Sequence, residues 1–247
     1  MPTLHHTFEL EITFCVRGVV SPLLANVYLH YVFDLWVEAW RRRIAKGDVV
    51  VVRYADDLVV GFQYRTEAER FWQEFRERLA KFGLELHADK TRLIEFGRFA
   101  VRNRKQRGEG KPETFTFLGF THFCGQRKSN GAFIVWRITA KKRMVAKLKA
   151  LKAELQRRKH HRTADVGAWL RQAVLGYYQY HAVPGNSAQL RTFARRVCRL
   201  WRSVLVRRSQ RAQVRWARLN PLLNRWIPRP RVLHPYPMAR FAARHPW

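Results

Sequence analysis

The chain is predicted to adopt an α+β fold, in which helices alternate with antiparallel hairpins before a long run of helices. Three observations predict it. Apolar residues recur at three- and four-residue spacing from Leu23 to Trp40 and again from Phe71 to Phe82, the period of an amphipathic helix. Strand-length apolar runs, Val49–Tyr54 and Leu58–Phe62, flank a short turn, which reads as a hairpin. From Ala140 onward only the helical period remains. With 47% hydrophobic and 13% aromatic residues in 247, the chain can bury a core, which excludes wholesale disorder.

Taken in order, residues 8–14 (FELEITF) alternate apolar and polar, as a strand does. Ser21-Pro22 opens a helix of about five turns, serine as N-cap and proline at the first helical position, and the helix breaks before Gly47-Asp48. The hairpin of two buried strands follows, joined at Ala55-Asp56-Asp57. Thr66 and Glu69 read as a capping box for the next helix, which ends at Gly83 as its C′ residue. Leu84–His87 and Thr91–Phe96 read as strands around Asp89-Lys90. Arg98–Lys111 (RFAVRNRKQRGEGK) reads as a mobile basic loop. Thr114–Phe120 is an alternating strand with Phe133–Ile138 as its partner after Ser129-Asn130-Gly131. In the helical part, Val166, Trp169, Leu170, Ala173, Val174, Tyr177, Tyr178 and His181 form one stripe that stops at Pro184-Gly185-Asn186. A second stripe runs from Leu190 to Leu205. The tail beyond Asn220 holds six prolines, which favours an extended path over another surface.

Charge is divided unequally. The net formal charge is +30, yet residues 1–97 carry 13 basic and 14 acidic side chains while residues 98–247 carry 35 and 4. A surplus of that size selects a polyanion as partner, and nucleic acid first. An anionic membrane surface is the other reading of a basic amphipathic helix, but no lipid-anchoring signal accompanies it. The longest aliphatic run, Val49–Val52, is too short to span a bilayer, and the first sixteen residues contain neither lysine nor arginine, unlike a signal peptide. Cys15, Cys124 and Cys198 are odd in number and far apart, giving neither a disulfide framework nor a zinc spacing. A cytoplasmic protein is expected.

Asp56 and Asp57 at a hairpin tip have two readings. Aspartate is a common turn residue. Two adjacent carboxylates also repel unless a cation sits between them, and such oxygen donors suit Mg²⁺ together with substrate phosphates. The surrounding segments are GVVSPLLANVYLH (18–30), VRYADDLVVGF (52–62), FGLELHADKTRLIEFGRFA (82–100), KPETFTFLGF (111–120), GYYQYHAVPGN (176–186), RRSQR (207–211) and PRPRVLHPYP (228–237). In these the sequence resembles the reverse transcriptase/maturases encoded by group II introns.

The resemblance implies four regions. They are an atypical segment at 1–17, a partial polymerase palm at 18–138, an all-helical thumb and maturase region at 139–220, and a proline-rich basic tail at 221–247. It implies Asp56 and Asp57 as catalytic, Mg²⁺-binding carboxylates, and Ser21, Pro22, Asn26, Tyr54 and Lys90 around template and nucleotide. Phe117, Leu118 and Gly119 would form the primer grip. Arg191, Arg195, Arg199, Arg202, Arg207 and Arg208 would bind RNA, a role that the charge surplus suits independently. The partners implied are intron RNA, an RNA template with a DNA primer, and deoxynucleoside triphosphates. The sequence departs from the family in two places. Cys15-Val16-Arg17 stands where the family has Pro-Gln-Gly, and the third carboxylate, which the family carries on an earlier palm strand, has no counterpart. Glu9 and Glu11 are set aside as substitutes because their separation from the following helix is wrong. The expectation is therefore a chain without fingers or first palm strand, an unpaired sheet edge, and negligible DNA synthesis by the chain alone. The alternative is a polymerase-inactive fragment that only binds intron RNA.

Overall fold

The alternation of FELE carries into strand β1 (His6–Glu11), which is central in a four-stranded sheet of order β2-β3-β1-β4. The computed structural model describes residues 6–11, 21–87, 91–208 and 215–236, and for residues 6–11 and 21–22 it describes the backbone. The chain divides into two units, Met1–Leu118 with His122–Trp136, and Gly119–Thr121 with Arg137–Trp247.

In the first unit, β1 pairs antiparallel with β3 (Asp57–Phe62) on one side and β4 (Arg92–Glu95) on the other. β2 (Val49–Tyr54) completes the hairpin with β3. The element order is β1, a helix, β2, β3, a helix, β4, the split βαβ arrangement. This corrects the expectation of a missing first strand, because residues 6–11 fill the slot between β3 and β4.

The first helix runs as α1 (Ser21–Leu29), a π-helical turn (His30–Asp34) and α2 (Leu35–Arg43). The carbonyls of Tyr31 and Val32, within the π turn, accept bonds from the Arg78 guanidinium at 3.3 and 3.2 Å. Arg78 belongs to α3 (Arg65–Ala80) and also lies over the Phe82 ring. α3 starts one residue before Thr66, with Tyr64 extended at its N-cap and no side-chain cap, so the capping box at Thr66 is not formed. Glu69 pairs with Arg65 instead, one helical turn back. Gly83, at φ +65°, ends the helix as the sequence suggests. The Leu84 amide reaches the Leu79 carbonyl at 3.0 Å and the Gly83 amide reaches Ala80 at 3.1 Å, a Schellman closure.

Both helices share one core with one face of the sheet. Phe33, Trp36, Trp40, Phe62, Phe71 and Phe75 form a ring cluster with centroids 5.1–5.9 Å apart. Each fully buried aromatic stabilises by ~1.5–3 kcal/mol. The reading of two buried strands holds for β3 and fails for β2. β2 is an edge strand, and Val50, Val52 and Tyr54 on it are exposed. The sheet's other face carries a smaller core of Val59, Ile94, Phe96 and Phe115.

Leu84–His87 is not a strand; it holds one isolated bridge at Leu86, and β4 takes β1 as its partner. The expected loop at 98–111 contains a helix, α4 (Ala100–Gln106), because Glu95 holds it from β4 through Asn103 and Arg107. The expected strand 114–120 stops early. β5 (Phe115–Phe117) turns at Leu118-Gly119 into β6 (Phe120–Gln126), which pairs with β7 (Phe133–Thr139) in the order β5-β6-β7.

The second unit contains α5 (Lys141–Arg157), α6 (Thr163–His181), α7 (Ser187–Val206) and α8 (Trp216–Trp226). The apolar stripes of α6 and α7 meet in one core with Leu148, Leu151 and Leu155 of α5. Tyr177 stacks on Phe193 at 3.7 Å. Trp201 is buried at its centre, and Trp169 is half-buried beneath Arg158. Asn186, fully buried, donates to Thr139 Oγ1 at 2.7 Å and the His181 carbonyl at 2.8 Å, and accepts the Thr139 amide at 3.0 Å. Contrary to expectation, α8 runs through Pro221 to Trp226. The bond lost at that proline is offset by burial of Leu219, Leu223 and Ile227. Beyond it, residues 228–236 have no regular secondary structure. The Leu233 amide reaches the Ala182 carbonyl at 2.9 Å, and Tyr178 donates to the Pro228 carbonyl at 3.3 Å.

Candidate active site

The β2–β3 connection is two residues long, Ala55-Asp56, with Tyr54 and Asp57 as register partners closing it. Ala55 has φ +55°, a region that favours glycine and costs alanine ~1–2 kcal/mol. Such strain persists only where neighbours hold it, and here the holder is Arg53. Its guanidinium donates to Asp34 through both carboxylate oxygens, Nε to Oδ1 at 2.8 Å and Nη2 to Oδ2 at 2.6 Å. Nη1 donates to Asn26 Oδ1 at 2.9 Å and to the Ala55 carbonyl at 3.1 Å. One cation, 17% exposed, thus ties the turn to α1 and to the π-helical turn. Its charge is balanced by Asp34.

Asp56 is exposed and Asp57 half-buried. Tyr54, 65% exposed, stands at the end of β2. Asn26 is half-buried on α1 against Arg53. Ser21 and Pro22 are the first residues of α1, and Lys90 lies outside the described residues. Register makes Glu11 the partner of Asp57 across β1 and β3. Partners in an antiparallel ladder share a face of the sheet. Pairing brings these two backbone positions together although they lie far apart in sequence.

Among the described residues no three His, Cys, Asp or Glu side chains gather as a metal site. The donor set at the tip still fits a hard divalent cation, since Asp56 and Asp57 offer only carboxylate oxygens and such ions are commonly held by one or two carboxylates plus substrate phosphates.

Of the expected primer-grip residues, Phe117 ends strand β5, and Leu118 and Gly119 form the turn that follows it. Leu118 (φ +48°) and Gly119 (φ +77°) have the paired positive φ of a tight hairpin turn. Phe117 packs against the Val59–Phe115 core. A Cβ on Gly119 would meet Arg143 at 3.7 Å and Tyr180 at 3.9 Å.

Within the second unit, Arg191, Arg195, Arg199 and Arg207 are exposed. Arg202 is half-buried over the Trp216 ring at 5.0 Å. Arg208 donates to Thr163 Oγ1 at 3.1 Å. Arg195 and Arg199 line a cleft of about 390 Å³ with Trp216, Asn224 and Arg229. His160 and His161 are exposed, His122 stacks on Phe115 at 4.7 Å, and Cys124 Sγ accepts the Gly97 amide. Burial pushes the Cys124 and Cys198 thiols up, which makes both poor nucleophiles.

Sequence reasoning missed Arg53 and Asp34. The signal was present: an arginine interrupting a run of valines beside the turn, and an aspartate interrupting the apolar stripe of the first helix. Among the described residues no helix is long and apolar enough to cross a membrane.

Residues 18–122 match the family model described as reverse transcriptase (RNA-dependent DNA polymerase), which is less than half of the chain. The match begins after β1 and takes in the Arg53 clamp and both aspartates. Domains of that family act on a nucleic-acid template and primer with nucleotide substrates and divalent metal ions. No curated protein matches the sequence.

Proposed function

We propose that the chain is a group II intron-type reverse transcriptase/maturase, which polymerises DNA on RNA at the Asp56–Asp57 turn and binds intron RNA through its cationic helices. One observation carries the polymerase half. Arg53 fixes the strained turn that carries Asp56 and is closed by Asp57, inside the segment that matches the reverse transcriptase family. Asp56 and Asp57 would hold Mg²⁺. Bound there, Mg²⁺ supplies the charge that offsets the triphosphate and the leaving pyrophosphate in phosphoryl transfer. Arg53 keeps the tip rigid, so little ordering of the turn is required when substrate arrives. Glu11, as register partner of Asp57, is the position from which a third carboxylate would come, and it raises the expected activity above the negligible level that two acids alone imply.

Arg195 and Arg199 in the α7–α8 cleft favour the RNA-binding half, since residues 141–247 contain just two carboxylates, Glu154 and Asp165, to offset their cations. Primer extension on an RNA template with Mg²⁺ tests the whole reading. The expected result is incorporation that Asp56→Ala abolishes and Glu11→Gln weakens, with RNA affinity unchanged by either. Absence of incorporation in the unsubstituted chain, with RNA binding intact, would reduce the reading to that of an RNA-binding protein. Incorporation indifferent to Asp56→Ala would remove the site.

A further inference from the structure

The segment 98–111 segregates its cations by helix face. Arg104 and Arg107 are spent on carboxylates, Arg107 on Glu95 and Glu109, and Arg104 on Glu109 at 3.3 Å and Glu113 at 3.9 Å. Arg107 holds the Glu109 carboxyl below its usual range, so that acid is charged and neutralised where it stands. Arg98, in the turn before α4, and Arg102 and Lys105 on α4 recur at four and three residues. Those three and Lys111 are without an ion pair among the described residues, and all four are exposed.

They line one side of a groove of about 970 Å³ whose other side is the β6–β7 hairpin. Three aromatic rings share that lining: Phe99, Phe123 and Phe133, each half-buried. Arg98 and Arg102 both lie over the Phe99 ring, at 6.0 and 5.1 Å. Cations strung along a face suit a chain of phosphates better than a single anion, and half-exposed rings suit unpaired bases. A duplex keeps its bases stacked on one another and would leave the rings unused.

We propose that this groove binds single-stranded polynucleotide, with phosphates along Arg98, Arg102, Lys105 and Lys111 and bases stacked on Phe99, Phe123 and Phe133. The inference deepens the RNA-binding reading above and adds a surface outside the helical unit. It is independent of Asp56 and Asp57.

The test uses the full chain with short 4-thiouridine-labelled oligouridylate, the matching oligothymidylate and a duplex of equal length. Photo-crosslinks mapped by mass spectrometry are expected at Phe99, Phe123 or Phe133. Arg102→Glu with Lys105→Glu is expected to weaken binding about tenfold and to reduce the slope of log affinity against log salt by ~1–2. Phe123→Leu with Phe133→Leu is expected to weaken it about fivefold with the slope unchanged. The same crosslinks in an Asp56→Asn, Asp57→Asn protein would show that the groove stands even where polymerisation fails. Crosslinks confined to residues 187–236, with the charge-reversed protein binding as tightly as the unsubstituted one, would overturn the proposal. Preferential binding of the duplex, or equal displacement of the oligonucleotide by polyglutamate, would overturn it too. Oligouridylate and oligothymidylate binding alike would support stacking; preference for one would identify which polynucleotide the groove takes, provided the crosslinks map to it.

Discussion

In the sheet-bearing unit an arginine is usually a strut, and in the helical unit it is usually a free cation. Arg42 sits on Glu38, Arg65 on Glu69, Arg70 on Glu74 and Arg53 on Asp34. In the helical unit Glu154 takes Arg157 and Arg158, while Arg191, Arg199 and Arg207 face solvent. The same side chain does two jobs, and the local supply of carboxylates decides which. Where an acid is within reach, the pair aligns backbone, as Arg53 does at the Ala55 turn. Where acids are absent, the cations remain available to a polyanion, and their mutual repulsion must be offset by the apolar core beneath.

The comparison breaks first at its cores. Phe71 is fully buried against Trp36, Trp40, Phe62 and Phe75, so Phe71→Ala is expected to cost ~3–5 kcal/mol in thermal or urea unfolding. A loss below about 1 kcal/mol would mean that the ring cluster does not hold the sheet unit together.

The helical unit has a pH-dependent element at His181. Burial, with Arg143 nearby, pushes the His181 imidazole from its ordinary 6.5 down to about 4. The unfolded chain therefore takes up that proton first as pH falls. The stability is complete above pH 6.5 and declines between 6.5 and 4, by up to ~3 kcal/mol. Unfolding midpoints measured across that range should fall with pH, and His181→Phe should flatten the decline.

Arg53→Met removes the strut without removing an acid from the tip. The expected result is a ~10–100-fold drop in primer extension with RNA affinity unchanged, as for a group that orients a ligand-bearing turn. Arg53→Lys should recover part of it, since lysine keeps the charge and loses the fork. Unaltered extension in both would make Arg53 a stability feature alone.

In the helical unit, Arg195→Glu with Arg199→Glu should weaken RNA binding about tenfold and lower its salt slope by ~2, leaving extension of a pre-annealed primer largely intact. Smallest is Gly83→Ala. Nothing lies within 4 Å of its added Cβ, so the φ of +65° alone should cost ~1 kcal/mol in unfolding.

Much of the fold was legible because it rests on local pattern. The Tyr54–Asp57 turn shows as two strand-length apolar runs around acids, and α6 and α7 show as stripes at helical spacing. The candidate acids were legible for the same reason, being adjacent in the chain. Legibility failed where a remote partner decides the outcome. Arg98–Lys111 reads as a loop because its composition is polar and glycine-bearing, and it becomes helical because Glu95 on β4 anchors Asn103 and Arg107. Thr66 and Glu69 have the spacing of a capping box, yet α3 begins at Arg65 and the box has no helix end to cap.

By itself the sequence determined where the apolar faces lie, which half carries the charge and which two acids share a turn. All three follow from the order of neighbouring residues. The tertiary structure alone decided that β1 pairs with β3 and puts Glu11 opposite Asp57, and that Asp34 and Asn26 meet Arg53. Those contacts join residues 19, 27 and 46 positions apart. They form because hydrogen-bonding groups in a strand or a half-buried guanidinium must find partners somewhere, and only the folded chain settles where.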